Sequence, residues 1–472
     1  MPENYLTSEA APVSDSPFVH ENGLERWLDK PRSEWTADDL VVAFRDGGIR
    51  AVSLMHVGGD GWLKTLDFVP GSVDHLRNII EGGERADGSQ LFAGAGIPSG
   101  ASDIVLRPRV SSAFRDPFAD VPTLVVMCGH RGRDGTPLPE SPDTILRRAQ
   151  KRVRAATGAE LWALGEVEYF LGKRSDEHDI YGADDRGYHA SSPFVFGEKL
   201  RRRALSILVD LGVSVKYGHS EVGYIEAVQA EGMIWEQHEI ELALMPLPDA
   251  ADAVLLTQWV LRNLAHEQGM QCNTDPMMQK GHAGNGLHFH LSPVIDGRHL
   301  EVRDADGNLG EHASWLIAGL VQLGGSLMAF GNRVDGSFAR LVQGREAPKS
   351  IVWGDYDRSA LVRLPVVATT EDGRPVAPPT VEFRLPDGSA LPHLLLAGVS
   401  QAMVTGKRTA DVAALLEQTS ARNPSAVSEM TNRVPWNSIE VADALSTHRE
   451  ALEDGGVFPA TLIERLIEHI RG

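Results

Sequence analysis

Residues 161–171, LWALGEVEYFL, place Glu166 and Glu168 two positions apart in an otherwise mostly apolar run. A period of two is strand periodicity, so both carboxylates project from one face. Carboxylates held side by side repel unless a cation sits between them. The strand must therefore either turn that face to water, as such pairs most often do, or be folded against a cationic partner. A second such run, LHFHLSP (287–293), sets His288 and His290 on one face, behind a loop with glycines at Gly284 and Gly286.

At 472 residues the chain suggests two domains, or one large domain with a smaller attachment. Residues 1–36 lack periodicity and read as a mobile arm. From 37 to 130, short apolar stretches such as IRAVSLMHV (49–57), WLKTLDFV (62–69) and TLVVMC (123–128) alternate with glycine-rich turns. That pattern predicts a small strand-rich domain. DTILRRAQKRVRAAT (143–157) predicts a helix with Asp143 as its N-cap, opening a second domain over 131–472. DAADAVLLTQWVLRNLAHEQG (249–269) is the clearest helix, with Val254, Leu255, Trp259, Leu261 and Leu264 on a buried stripe. The whole reads as α+β.

A formal charge of −20 disfavours nucleic acid or an anionic membrane as partner and favours small molecules. Cys128 and Cys272 stand far apart, without the spacing of a zinc site or a disulfide framework, which points to the cytoplasm. The polar N-terminus carries no signal-peptide pattern. GAGIPSG (94–100) misses a dinucleotide fingerprint because Ser99 takes the place of the last glycine, and TGKRT (405–409) lacks the P-loop spacing.

Further acids fall on predicted strands: Glu221 in YGHSEVG, Glu239 in WEQHEIEL and Glu382 in VEFRLPD. With Glu166, Glu168 and His288 they compose an oxygen-rich donor set, which suits Mg²⁺ or Mn²⁺ better than zinc. Arg340, Arg358, Arg363 and Arg384 form a basic set able to clamp a carboxylate or phosphate bidentately.

These stretches, in this order, resemble the glutamine synthetase family from about residue 40 to the end. GEVEYFL is similar to its paired-glutamate strand, HAGNGLHFHLS to its loop and HxH strand, and RLVQGREAP to its catalytic flap. RSALVRLP, VEFRLPDGSALP and GGVFPATLIERLIEHIR resemble the blocks that follow. The resemblance implies a small β-grasp-like N-terminal domain and a large catalytic domain on a curved antiparallel sheet. It also implies a homo-oligomeric ring, a dodecamer, with each active site between two subunits. ATP would be a co-substrate. One Mg²⁺ or Mn²⁺ would be held by Glu168, Glu221 and Glu239, and another by Glu166, His288 and Glu382. His290 and Ser292 would lie near the nucleotide, Arg340, Arg384 and Gly284 at the substrate acid, and Arg358 and Arg363 at the transferring phosphate, with Arg363 also near ATP. Glu346 would close the site and take a proton from the amine.

The chain departs from the family pattern in four places. Where the family reads FDGSSIGG, contributed by the neighbouring subunit, this chain has LFAGAGIPSG, with Ala93 at the Asp position and Gly96 at the Ser position. Loss of an anion that attracts ammonium favours an amine other than ammonia. Ala283 stands at the Asn of the glutamate loop, and Leu391 and His393 replace the Asn and Tyr of ANPY. The interval between Glu221 and Glu239 is longer than usual, leaving Glu226, Glu231 and Glu236 as alternative ligands. The expected activity is an ATP-dependent ligase making a γ-glutamyl amide through γ-glutamyl phosphate. Ordinary glutamine synthesis and a non-catalytic scaffold are the competing readings.

Overall fold

The structure, a computed structural model, describes residues 22–93, 102–176, 185–227, 230–343, 347–423 and 432–472. Six strands build a first sheet: β1 (Ala51–Val57), β2 (Leu63–Phe68), β3 (Glu84–Asp87), β4 (Asp103–Pro108), β5 (Phe114–Arg115) and β6 (Thr123–Gly132). Their order is β2-β1-β6-β4-β3, with β5 on β6; β1 and β6 run parallel and the other pairs antiparallel. Alternate side chains, Val52 and Leu54 with Leu124 and Val126, bury one face in a cluster shared with helices Ala37–Asp46 and Val73–Gly82. The alternation predicted strands over this stretch, and the last of them, β6, ends at Gly132.

The expected arm is corrected over residues 22–36. The Asn22 side chain accepts from Leu24 N at 2.7 Å while Glu25 accepts from Asn22 N at 3.1 Å, a capping box that starts the helix Gly23–Leu28. Asn22 Nδ2 also donates to the buried carbonyls of Ala113 and Leu211 at 3.1 and 3.3 Å. These polar anchors, together with Leu24 and Trp35 buried in the cluster of the first sheet, order a segment that shows no hydrophobic periodicity.

Ten strands build the second sheet: β7 (Glu160–Arg174), β8 (Val215–Ile225), β9 (Met233–Leu242), β10 (Met245–Pro246), β11 (Gln271–Asn273), β12 (Leu287–Ile295), β13 (Arg298–His299), β14 (Ser350–Asp355), β15 (Ala360–Leu364) and β16 (Val381–Phe383). The main path is β14-β15-β16-β12-β7-β9-β8, antiparallel except at β14–β15. The sheet curls into a half-barrel. Helix Leu247–Glu267 packs on β7, helix Glu198–Asp210 on β8, and helix Glu311–Gly331 on β14, β15 and β16. Helix Leu247–Glu267 is buried nearly all round, wider than the predicted stripe.

The helix predicted at 143–157 runs from Pro142 to Thr157, and Ser141, not Asp143, occupies the cap position. Pro142 suits the first helical position because its fixed φ is already helical and it has no N–H to satisfy. Asp143 is drawn instead to Arg147 Nε at 3.0 Å.

Two long helices of the core touch backbone to backbone. A Cβ on Gly319 would lie 1.7 Å from the Ala402 carbonyl oxygen, and one on Gly406 would lie 1.8 Å from that of Trp315. Gly319→Ala would ordinarily stabilise a helix interior by about 1 kcal/mol. Here it forces helices Glu311–Gly331 and Pro392–Lys407 apart, so denaturant unfolding should show a loss of about 2 kcal/mol or more. Gly325→Ala, whose Cβ would come no closer than 3.3 Å to the Pro435 ring, should change stability by less than about 1 kcal/mol.

Candidate active site

Antiparallel register assembles the site. Glu166 of β7 pairs with His288 of β12 on one side and Glu241 of β9 on the other; Glu168 pairs with Glu239, His290 with Glu382, His219 with Glu239 and Arg363 with Glu382. Since opposed residues share a face, all of them project into one cavity of about 1070 Å³ on the open side of the half-barrel.

Glu166 is the node. Its two oxygens lie 2.9 Å from His288 Nδ1 and 2.9 Å from His290 Nε2. Burial alone would raise this carboxyl, but His290 first, and then His288, hold it well below the usual carboxylate range. Burial pulls His290 down in turn, yet Glu166 outweighs it and lifts the imidazole to about 8. Arg340 Nη2 approaches His288 Nε2 at 3.3 Å. A guanidinium only donates, so that nitrogen accepts and the proton sits on Nδ1, toward Glu166.

Glu239 is in the opposite state. Burial and four neighbouring carboxylates, Glu166, Glu168, Glu221 and Glu241, push it well above the usual range. Crowding of this kind is relieved by a cation. Three groups among the described residues, none of them including Glu168 or His288, offer ligand atoms within 4.8 Å of one another: Glu166 with His290 and Glu382, Glu166 with Glu239 and Glu241, and His219 with Glu221 and Glu239. The donor set fits a hard divalent cation. Of the acids left open between 221 and 239, Glu221 is the one in this group. Glu236 points behind the sheet, bonded to Phe196 N at 3.0 Å, and Glu231 is exposed. A register shift in β8 between Ser220 and Tyr224 absorbs part of the long interval.

Glu168 stands between the groups, its Oε2 accepting from Gly286 N at 2.8 Å and Gln237 Nε2 at 3.1 Å. The loop can come this close because residue 286 is glycine: a Cβ there would sit 2.6 Å from His288 Nε2. Gly284 and Ala283 line the same wall, and Gly284 O accepts from Gln237 Nε2 at 3.0 Å. Glu382 is fully buried under two guanidiniums, Arg363 Nη1 at 3.0 Å and Arg384 Nη1 in close contact. Arg384 Nε donates to Arg358 O, which holds exposed Arg358 at the rim. Arg340, buried, donates to Leu385 O at 3.1 Å. Ser292 lies on the His288 face but is fully buried, 2.9 Å from His299 Nδ1, so that His299 rather than Ser292 reaches the cavity wall.

Glu346 and Gly96 lie outside the described residues. Ala93 is exposed and does not line this chain's own cavity. Sequence reasoning passed over Glu241, which accepts from Lys216 Nζ at 2.6 Å, and His219. Alternation in WEQHEIEL already placed Glu241 beside Glu239, and this was the available signal.

A family described as glutamine synthetase, catalytic domain, matches residues 139–471, carrying every site residue named above except Ala93 and Gly96. The chain belongs to the glutamine synthetase family. It is therefore an ATP-dependent ligase of that family. The glutamine synthetase of Methylococcus capsulatus is 26% identical over 469 residues, covering 92% of this chain and 95% of that one. Among solved structures, a Plasmodium falciparum glutamine synthetase superposes with a TM-score of 0.77 at 19% identity, covering 93% of this chain and 95% of that chain. A GmaS/ADP complex does so with 0.71 at 20%, covering 92% and 94%. At these identities the structural likeness is one of fold.

The His290 shift sets a pH dependence. An imidazole raised from 6.5 to about 8 on folding contributes stability in full below pH 6.5 and loses it as pH rises through 8. In chelator-treated protein, His290→Asn should cost about 2 kcal/mol more at pH 6 than at pH 9, read by urea unfolding across that range.

Proposed function

We propose that this ligase joins the side-chain carboxylate of glutamate, or a closely related acid, to a primary amine other than ammonia, forming a γ-glutamyl amide through an acyl phosphate. What supports the reading is a full carboxylate, imidazole and arginine constellation together with Ala93 where the resemblance puts the family's ammonium-attracting Asp. A carboxylate is a poor acyl electrophile, so phosphorylation by ATP must come first. One structural neighbour is a complex with ADP, in keeping with such a nucleotide here.

In this reading Arg340, Arg384 and the loop at Gly284 hold the acid, and Arg358 and Arg363 neutralise the phosphoryl group in transfer. His290, and Ser292 through His299, border the nucleotide. Glu168, Glu221 and Glu239 would hold one divalent cation, Mg²⁺ or Mn²⁺, and Glu166, Glu382 and His288, once its Nδ1 proton is displaced, would hold another. These ions, when bound, supply charge to the phosphates beyond what the arginines provide. Arg363 and Arg384 already share Glu382, so they reach the site as part of the same charge-balanced group. Glu346 accepts the amine proton, and closure of its loop keeps water from the acyl phosphate.

Ala93 lies off this chain's own cavity, which supports a homo-oligomeric ring in which it borders a neighbour's site. Replacing an Asp by Ala there removes charge and leaves room for a carbon substituent. The competing reading is glutamine synthesis, the name carried by the curated relative from Methylococcus capsulatus.

Phosphate release with ATP, Mg²⁺ and glutamate, compared between ammonium and a panel of alkyl, aryl and polyamines with product masses followed, tests the proposal. A kcat/KM for one amine at least about tenfold above that for ammonium is expected. Equal or better turnover with ammonium returns the chain to glutamine synthesis. Ala93→Asp should raise ammonium turnover relative to the amine by a similar factor. Glu166→Gln should lower phosphate release with any amine by about a hundredfold or more.

A further inference from the structure

Away from the large cavity lies a basic cleft of about 580 Å³ where the first sheet meets the helix Pro142–Thr157. Strands β4 and β6 contribute Arg107 and Arg131, and the helix contributes Arg147, Arg148 and Lys151. Asp143 is the one acid among the described residues that line it. In a chain of net charge −20 such a concentration of cations has to be accounted for.

Internal ion pairing does not account for it. Arg107 and Lys151 have no acidic partner among the described residues; Arg131 and Arg148 donate only to the carbonyls of Gly135, at 2.8 Å, and Pro139, at 3.4 Å. Arg147 and Arg109 share Asp143, and Arg109 turns its other end to Asp252 at 2.6 Å. Arg109 Nε is left buried without a hydrogen-bond partner. The helix N-terminus at the cleft also goes uncapped by its own residue: the Ser141 hydroxyl lies 2.9 Å from His130 Nδ1 and makes no cap bond. Burial lowers His130 to about 3, so it adds no charge of its own. Uncompensated guanidiniums and an uncapped helix start supply the chemistry that binds phosphate.

We infer that the cleft between β4, β6 and the helix Pro142–Thr157 is a second ligand site, separate from the cavity of the large sheet, for a phosphate-bearing small anion. The anion would bridge Arg107 and Arg131 on the first sheet to Arg148 and Lys151 on the helix. It would therefore tie the two halves of the chain together and stabilise them against unfolding.

Equilibrium dialysis of the assembled, metal-free protein against radiolabelled inorganic tripolyphosphate at low salt tests the site. Four proteins are compared: wild type, the double variant Arg107→Ala/Lys151→Ala, the conservative variant Arg107→Lys, and Arg363→Ala in the large cavity. The double variant should lose one site per chain or bind there about tenfold more weakly, while Arg363→Ala keeps that site. Arg107→Lys should retain most of the binding, and the double variant should keep wild-type turnover and circular dichroism. Displacement of the label by a nucleoside monophosphate at lower concentration than orthophosphate would identify a nucleotide as the source of the phosphate; equal displacement would identify the free ion. Superimposable curves for wild type and double variant, or loss of all binding in Arg363→Ala, overturn the inference.

Discussion

The registration of β7 between β12 and β9 is the constraint on which the site depends. With a side-chain period of two, a slip of one residue would send Glu166 and Glu168 under the helices and Val167 into the cavity. Packing forbids the slip. Leu161, Ala163, Val167, Tyr169 and Leu171 fill the core beneath, and Gly165 passes so close to helix Leu247–Glu267 that a Cβ would meet Val254 Cγ2 at 2.8 Å. The apolar face therefore positions the polar one.

What that register assembles works against the stability of the fold. Glu239 is crowded by four carboxylates, Glu382 is a fully buried charge and Glu166 a half-buried one. Glu166 and Glu382 persist because each has partners, the His290 and His288 rings on Glu166 and two guanidiniums on Glu382, and Glu241 likewise has a lysine. A buried charge with its partner removed costs far more than the pair contributes. The residues that would serve chemistry are thus also those least replaceable for folding, and the large apolar core behind the sheet offsets their desolvation.

A second polar network holds the two sheets together. Arg109, just after β4, reaches Asp252 on helix Leu247–Glu267, and His393 Nε2 contacts the same carboxylate at 3.0 Å. Arg109 holds Asp252 well below the usual range even though burial opposes it. One departure from the family pattern acquires a physical meaning here. His393 is buried at this joint rather than in the cavity, and Leu391 packs on the β1–β2 turn, where a Cβ on Gly61 would lie 2.2 Å from it. Both side chains lie where the two sheets meet, and neither lines the cavity.

Local order along the chain was enough to place Glu166 with Glu168, and His288 with His290, because strand periodicity alone sets which residues share a face. The long apolar helices were legible for the same reason, their spacing being a local property. Which strands become neighbours is not local. Pairing of β7 with β12 joins residues more than a hundred positions apart and brings both imidazoles to one glutamate. Pairing of β9 with β7 and β8 decided that Glu221 rather than Glu236 gathers with His219 and Glu239, and that Glu241 belongs to the cavity. The order of residues 22–36 escaped for a related reason: a few hydrogen bonds to Ala113, Leu211 and Gly212 tie it down, and their acceptors are distant in the chain. Side-chain type and period thus determined the faces and their chemistry, whereas distances, protonation and partnership were decided only when long-range packing brought those faces together.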